Sequence, residues 1–170
     1  GVRLRIGSRT ATTNRDGRFR LTKLVPGRRA LLIDGTLIRR GAARYGNHEA
    51  AVVIQATRRT DLPFTIWMQK IDRARTVTLP KGVLKRPFVV RTAAIPGLQL
   101  RLPKGSKLVD RRGRQVRQVS ITRIPVKRPP HPLPVGVRVP VYYAIQPALS
   151  RVVRANGTPA KARLIYPNYT

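Results

Sequence analysis

Three features of this 170-residue chain predict an all-β fold. Apolar and polar residues alternate at period two in Val2/Leu4/Ile6, Phe19/Leu21 and Leu98/Leu100/Leu102, the spacing of a half-buried strand. Short apolar runs end at Pro, Gly, Asn or Asp, as strands do. The 15 prolines and 13 glycines are spread along the chain and interrupt every stretch long enough for a helix. Short strands with turns between them point to two small β-sandwich domains in tandem, residues 1–86 and 87–170. Their join falls around "LPKGVLKRP" (79–87), where Pro, Gly and Lys collect.

Taken in order, the first strand spans about 2–6, with Val2, Leu4 and Ile6 on one face, and the second 9–13. The turn Asn14-Arg15-Asp16-Gly17 then leads into a strand at 18–24 carrying Phe19, Leu21 and Leu24. In that turn the Asp16 carboxylate is placed to bond backbone amides ahead of Gly17. A Pro26-Gly27 turn precedes the strand 28–34, which contains Ala30-Leu31-Leu32-Ile33. "AARYGNHEAA" (42–51) has room for a single helical turn. Further strands are expected near 51–56, 64–69, 75–79, 87–92, 98–102, 115–124, 137–146 and 162–166. Phe64 and Trp67 are expected in a core, and Tyr142-Tyr143 places one ring on each face of its strand. The proline-dense "KRPPHPLPVG" (127–136) reads as an extended, polyproline-like connector.

Hydrophobic residues make up 41% of the chain, enough for a packed core. The outlier is charge: 36 basic against 6 acidic residues give +30, with an isoelectric point near 12.0. Self-repulsion at that density destabilises a compact state unless salt or a polyanion screens it. Arginine outnumbers lysine 28 to 8, and its planar fork suits phosphate or carboxylate. GC-rich coding accounts for arginine over lysine but not for the scarcity of acids, and deliberate supercharging of an ordinary domain fits equally well.

The same composition argues against chemistry. With no cysteine there is no disulfide, thiol nucleophile or Cys-ligated metal to propose. Ser8, Ser106, Ser120 and Ser150 lack a glycine elbow or a nearby base. Asp16, Asp34, Asp61 and Asp110 adjoin turn residues, and Asp72 ends a strand. His48 and His131 are far apart in sequence without metal-ligand neighbours, and His48 reads as a surface-loop histidine. "RLPKGSK" (101–107) matches no phosphate-loop pattern. No enzyme activity, metal or cofactor is expected. The longest apolar stretches, such as "AAVVIQA" (50–56), are too short to span a bilayer. There is no leader-like segment, and a chain that opens inside a strand reads as a processed form or an excised fragment.

What remains is the basic coat. Arg3 and Arg5, then Arg18 and Arg20, alternate with inward residues and are placed to form a cationic face on adjacent strands. Arg15, Arg28-Arg29, Arg39-Arg40, Arg58-Arg59 and Arg111-Arg112-Arg114 add loop clusters. Spread over the whole chain, these suit a long polyanion such as nucleic acid better than one small ligand. Base-specific reading is not expected: no recognition helix is visible, and at 5% aromatic content there is no stacking platform.

"VRLRIGSRTATTNRDGRFRLTKLVPGRRALLIDG" (2–35) resembles the carboxypeptidase regulatory-like, or transthyretin-like, sandwich. Thr13, Asp16, Gly17, Phe19, Leu21, Pro26 and Gly27 match that family's hairpin and Pro-Gly turn, whereas Arg15, Arg18 and Arg20 stand where acidic or neutral residues are common. Residues from about 93 onward are similar to ZU5-like sandwich modules through "LRLPKGSKLVD" (100–110), "VSITRIPV" (119–126), "VYYAIQP" (141–147) and "ARLIYPN" (162–168). The pairing resembles a segment of bacterial cell-surface proteins with YD (Rhs-type) repeats. The resemblance implies a non-enzymatic, extracellular structural or assembly module whose first sandwich lacks its N-terminal strand. On that reading Val2, Leu4 and Ile6 border an open sheet edge that recruits a strand from another subunit, allowing self-assembly into filaments. The alternative from composition alone is an intracellular nucleic-acid-packaging or ribosome-associated protein, and a carbohydrate-active accessory role ranks third.

Overall fold

The computed structural model describes residues 1–38, 42–132, 136, 139 and 141–166. The fold is all-β: twelve strands in antiparallel sheets, with no helix among the described residues. None of the described residues forms a helix long and apolar enough to cross a membrane. The chain divides into two compact units, Gly1–Lys70 with Lys127–Val137, and Ile71–Val126 with Arg138–Thr170.

The first unit is built on one four-stranded sheet, ordered β2-β1-β3-β4: β1 (Arg3–Ile6), β2 (Arg9–Thr12), β3 (Gly27–Asp34) and β4 (Asn47–Ile54). In β1, Leu4 and Ile6 turn inward and Arg3 and Arg5 outward, as the alternation predicts. The turn at Gly7, where φ is +56°, folds β2 back so that Arg9 faces Ile6 and Thr12 faces Arg3. This closes the edge expected beside Val2, Leu4 and Ile6. β1 bonds to β2 on one side and β3 on the other, and Leu4 and Ile6 belong to the core. The outer strands of the sheet are β2 and β4.

Leu4, Ile6, Leu31, Ile33, Ala50 and Val52 form the buried face. Two extended segments that are not strands pack against it, contributing Phe19, Leu21 and Leu24 from one and Leu62, Ile66 and Met68 from the other. The strands expected at 18–24 and 64–69 are therefore replaced by unladdered chain. Asn14 N donates to Arg18 O at 2.9 Å, but Lys23 enters the left-handed region at φ 55°, which takes the chain off the path of a regular strand. Burial still alternates through 61–68, with Leu62, Phe64, Ile66 and Met68 inward and Trp67 outward, so Trp67 is not a core residue.

The expected helical turn within 42–51 is absent. Gly46 N instead donates to Gln69 O at 3.0 Å, Tyr45 bridges Lys70, and β4 begins at Asn47. Gly35 N donates to Gly46 O at 3.1 Å, and a Cβ at Gly35 would meet Met68 Cε and stand 3.0 Å from Gly46 O. Only glycine fits that approach without displacing a neighbour.

The second unit holds β5 (Val77–Thr78), β6 (Phe88–Arg91), β7 (Gln99–Leu102), β8 (Ser106–Val109), β9 (Gln118–Arg123), β10 (Tyr143–Gln146), β11 (Arg151–Arg154) and β12 (Arg163–Ile165). They pair as β10-β9-β5, β11-β8 and β12-β7-β6. All three sheets feed one apolar cluster that includes Val90, Ile95, Leu98, Leu102, Val119 and Ile121. Fully burying each such side chain is worth roughly 1.5–3 kcal/mol. β8 and β11 were not expected from the sequence, and the strand expected at 137–146 is seen as Tyr143–Gln146, residues 137, 138 and 140 lying outside the described set.

One loop geometry occurs in both units. The amides of Gly17, Gly113 and Gly157 donate to the carbonyls of Asn14, Asp110 and Arg154 at 3.2, 3.0 and 3.0 Å, and each glycine has positive φ. This is a tight turn followed by a left-handed glycine, the three-residue way of reversing a chain between antiparallel segments. In the first loop Asn14, not Asp16, is the capping side chain: its Oδ1 accepts from Asp16 N at 3.1 Å and Arg18 N at 2.9 Å. Asp110 Oδ1 does the same for Arg112 N and Arg114 N at 2.8 and 2.9 Å.

His48 is not in a loop. It lies in β4 opposite Ile33, half-buried, with its Nε2 buried and unpartnered. Burial, reinforced by repulsion from His131, lowers its pKa from 6.5 to about 4. Because the folded value is the lower one, His48 adds stability while neutral and withdraws it as pH falls from 6.5 towards 4. Asp34, Asp72 and Asp110 are held below the usual carboxylate value of 3.8, so their stabilisation fades only in stronger acid. Urea unfolding at pH 7 and at pH 4.5 is expected to show a loss of roughly 1–3 kcal/mol, discounted for partial exposure, that His48→Gln abolishes. An equal loss in the variant would show that His48 is not the source.

Candidate polyanion-binding surface

A strand's pleat sends alternate side chains to opposite faces, so register decides which arginines share a surface. Across the first sheet one outward row runs Thr10–Arg5–Leu32–Glu49, and the next runs Thr12–Arg3–Asp34–Asn47. Arg3 Nη2 pairs with Asp34 Oδ2 at 2.7 Å, and Arg5 Nη1 donates to Gly7 O at 3.2 Å. Burial would raise the Asp34 pKa, but hydrogen bonds from Thr36 and Arg3 outweigh it and hold the carboxylate ionised. Because Arg18 and Arg20 lie outside any strand, the predicted four-arginine face does not form, and the face carrying Arg3 and Arg5 is of mixed charge.

The other predicted positions separate into two groups. Arg15, Arg18, Arg20, Arg28, Arg58, Arg111 and Arg112 are exposed and make no side-chain hydrogen bond or ion pair among the described residues. Arg29, Arg59 and Arg114 are engaged. Arg29 sits opposite Val52 on the inner-facing row, and its Nε, Nη2 and Nη1 donate to the carbonyls of Val25, Pro26 and Arg28 at 3.1, 2.7 and 3.4 Å. Its guanidinium thus staples the turn that enters β3. Arg59 pairs with Asp61 at 2.7 Å and Arg114 with Asp110 at 2.8 Å. Arg39 and Arg40 lie outside the described residues.

Arg75 and Asp72 form the fourth ion pair found among the described residues. Arg75 is the main cause of the lowered Asp72 pKa. At Asp110, burial pushes upward, but hydrogen bonds from the Arg114 side chain and the backbone amides of Arg114 and Arg112 pull the value down. In all four pairs the arginine side chain is at least half exposed. Such pairs contribute about 0–1 kcal/mol each, so the arginines are not a buried ionic scaffold.

Register also shows a cluster that the sequence reading missed. On β12-β7-β6, Arg163 faces Arg101, which faces Val89, while Ile165 faces Gln99, which faces Arg91. Phe88, Val90, Leu100 and Leu102 fill the opposite, core-facing side of β6 and β7. Arg91, Arg101 and Arg163 therefore share the outward face, and all three are exposed. Period-two alternation marks each as outward, but only the pairing of distant segments brings them together.

Aromatic side chains do not build a stacking platform on this face. Trp67 is 43% exposed, and the Arg128 guanidinium carbon lies 5.2 Å from its ring centroid. A cation over an exposed indole is worth about 0.5–1 kcal/mol. Tyr143 stacks on Tyr166 with centroids 6.0 Å apart, and Tyr166 donates its hydroxyl to Val141 O at 3.3 Å. Among the described residues no three His, Cys, Asp or Glu side chains gather as a metal set would.

Fold and surface together define an all-β chain of two compact units carrying unneutralised arginine on exposed strands and loops. No family model, curated protein or solved structure matches it.

The two groups of arginine are expected to separate by mutation. Arg29→Ala should cost about 1–2 kcal/mol in urea unfolding, because the turn carbonyls lose a charged donor. Arg111→Ala with Arg112→Ala should stay within about 0.5 kcal/mol of the parent. Reversed sizes would contradict the placement of these side chains.

Proposed function

We propose that this chain is a non-enzymatic structural or assembly module that binds nucleic acid or another polyanion through its cationic surface, without sequence specificity. The observation that carries the reading is the charge imbalance at the surface. Six acids stand against 36 bases, and among the described residues four ion pairs form, all at the surface. The other exposed arginines among the described residues face solvent with no carboxylate paired to them, a state that a polymeric anion relieves.

The arrangement also favours backbone contact over base reading. There is no helix among the described residues to enter a major groove, and the arginine-bearing sheet faces lack stacked aromatics. The charge is interleaved with strands in both units, which weighs against a packaging protein with a basic tail beside a small core. The extracellular setting rests on the resemblance of residues 2–35 and of the second half to cell-surface sandwich modules. Assembly through an open edge at Val2, Leu4 and Ile6 is not part of the proposal, because β1 is paired on both sides.

Binding to random-sequence DNA, RNA and heparin across a salt series tests the reading. With about 6–10 phosphates neutralised, affinity for duplex DNA falls roughly 10³–10⁵-fold between about 50 and 200 mM salt, with no preference among sequences. Absence of binding at the lowest salt would eliminate the proposal.

A further inference from the structure

The outward face of β12-β7-β6 differs from the equivalent face of the first unit's sheet. There, Arg3 and Arg5 share their surface with Asp34 and Glu49. Here the two ladders place Arg91, Arg101 and Arg163 with Val89, Gln99 and Ile165, and no acid. Arg163 and Arg101 are direct cross-strand partners, with Cβ atoms about 5 Å apart, and Arg91 is the diagonal neighbour of Arg101 at about 7–8 Å. Like charges directly opposite destabilise a sheet, so this face carries a cost that a bound anion removes.

Arg101 is also oriented. Its Nε and Nη2 donate to Gln99 Oε1 at 3.0 and 2.9 Å, a neutral acceptor that fixes the guanidinium without cancelling its charge. A glutamate at that place, isosteric with Gln99, would have held the fork and neutralised it.

We infer that this face is where the chain grips the phosphodiester backbone of nucleic acid, with Arg91, Arg101 and Arg163 each meeting a phosphate. The inference rests on the polyanion reading and locates it. Three separated cations call for a repeating anion, which a single small ligand does not supply. The guanidinium fork meets phosphate bidentately, a geometry that lysine lacks. The half-buried Val89 and Ile165 between the arginines offer no aromatic ring for a base, so the strand is held by its backbone.

The test compares two triple variants of equal charge loss: Arg91→Gln/Arg101→Gln/Arg163→Gln on the face, and Arg15→Gln/Arg111→Gln/Arg112→Gln on loop tips. Anisotropy of a labelled oligothymidine is followed from about 50 to 200 mM NaCl. The face variant should bind at least about tenfold more weakly and lower the slope of log affinity against log salt by about 2, as three lost single-strand contacts require. The loop variant should lose less than about threefold. Equal losses would overturn the assignment to this face while leaving polyanion binding intact. No binding by the parent chain would overturn both. Loss of heparin binding with oligothymidine binding retained would overturn the phosphodiester assignment. The unfolding midpoint of the face variant should equal or exceed that of the parent, because a like-charge pair is relieved. Should the triple variant fail to fold, Arg163→Gln alone, on an outer strand, should weaken binding about threefold, and no change would count against the proposal.

Discussion

The governing constraint is a shortage of carboxylates. With 36 basic and 6 acidic residues, salt bridging cannot neutralise this protein, whatever its fold. The strand pleat supplies the alternative. It turns Leu4, Ile6, Leu31 and Ile33 into one core and Val90, Leu102, Val119 and Ile121 into another, while guanidinium groups stay in water. Stability then comes from apolar burial, and mutual repulsion of the coat is a standing cost against it. The few acids are used locally: Asp34 against Arg3, Asp110 as a turn cap that also holds Arg114.

The strand character of this chain was legible because period-two burial is written directly in the sequence, as in β1 and β7. The same signal misled at Phe19, Leu21 and Leu24 and along Leu62 to Met68. An extended chain buries alternate side chains whether or not its backbone joins a ladder, and hydrogen bonding leaves no mark in composition. β8 and β11 escaped notice because each sets two apolar residues side by side, Leu108-Val109 and Val152-Val153, so neither shows the period-two alternation of β1 and β7. The edge expected at β1 was a question of pairing order, and the Gly7 turn decides it by returning β2 to that side. Asn14 and Asp16 are both able to cap a turn, and only the backbone path shows that Asn14 does so.

At the candidate surface the loop arginines were readable, since Arg15, Arg111 and Arg112 flank turn glycines and remain exposed. Arg29 was not, because one step in register separates a solvent-facing side chain from one that staples a turn. Arg91, Arg101 and Arg163 were missed for a related reason: each is unremarkable alone, and their shared face exists only once β12 and β6 flank β7. Trp67 likewise sits in a stretch of correct periodicity but on its outward phase.

With 36 basic residues against 6 acidic ones, this fold carries an arginine coat whose repulsion its carboxylates are too few to cancel. Thermal unfolding at pH 7 as sodium chloride rises from about 10 to 300 mM measures that repulsion directly, since the screening length shortens from about 30 Å to below 8 Å over that range. The midpoint is expected to climb steeply at the low-salt end and then level. A midpoint that stays flat, or falls as salt is added, would mean that the arginines are already compensated inside the fold, and would contradict that expectation.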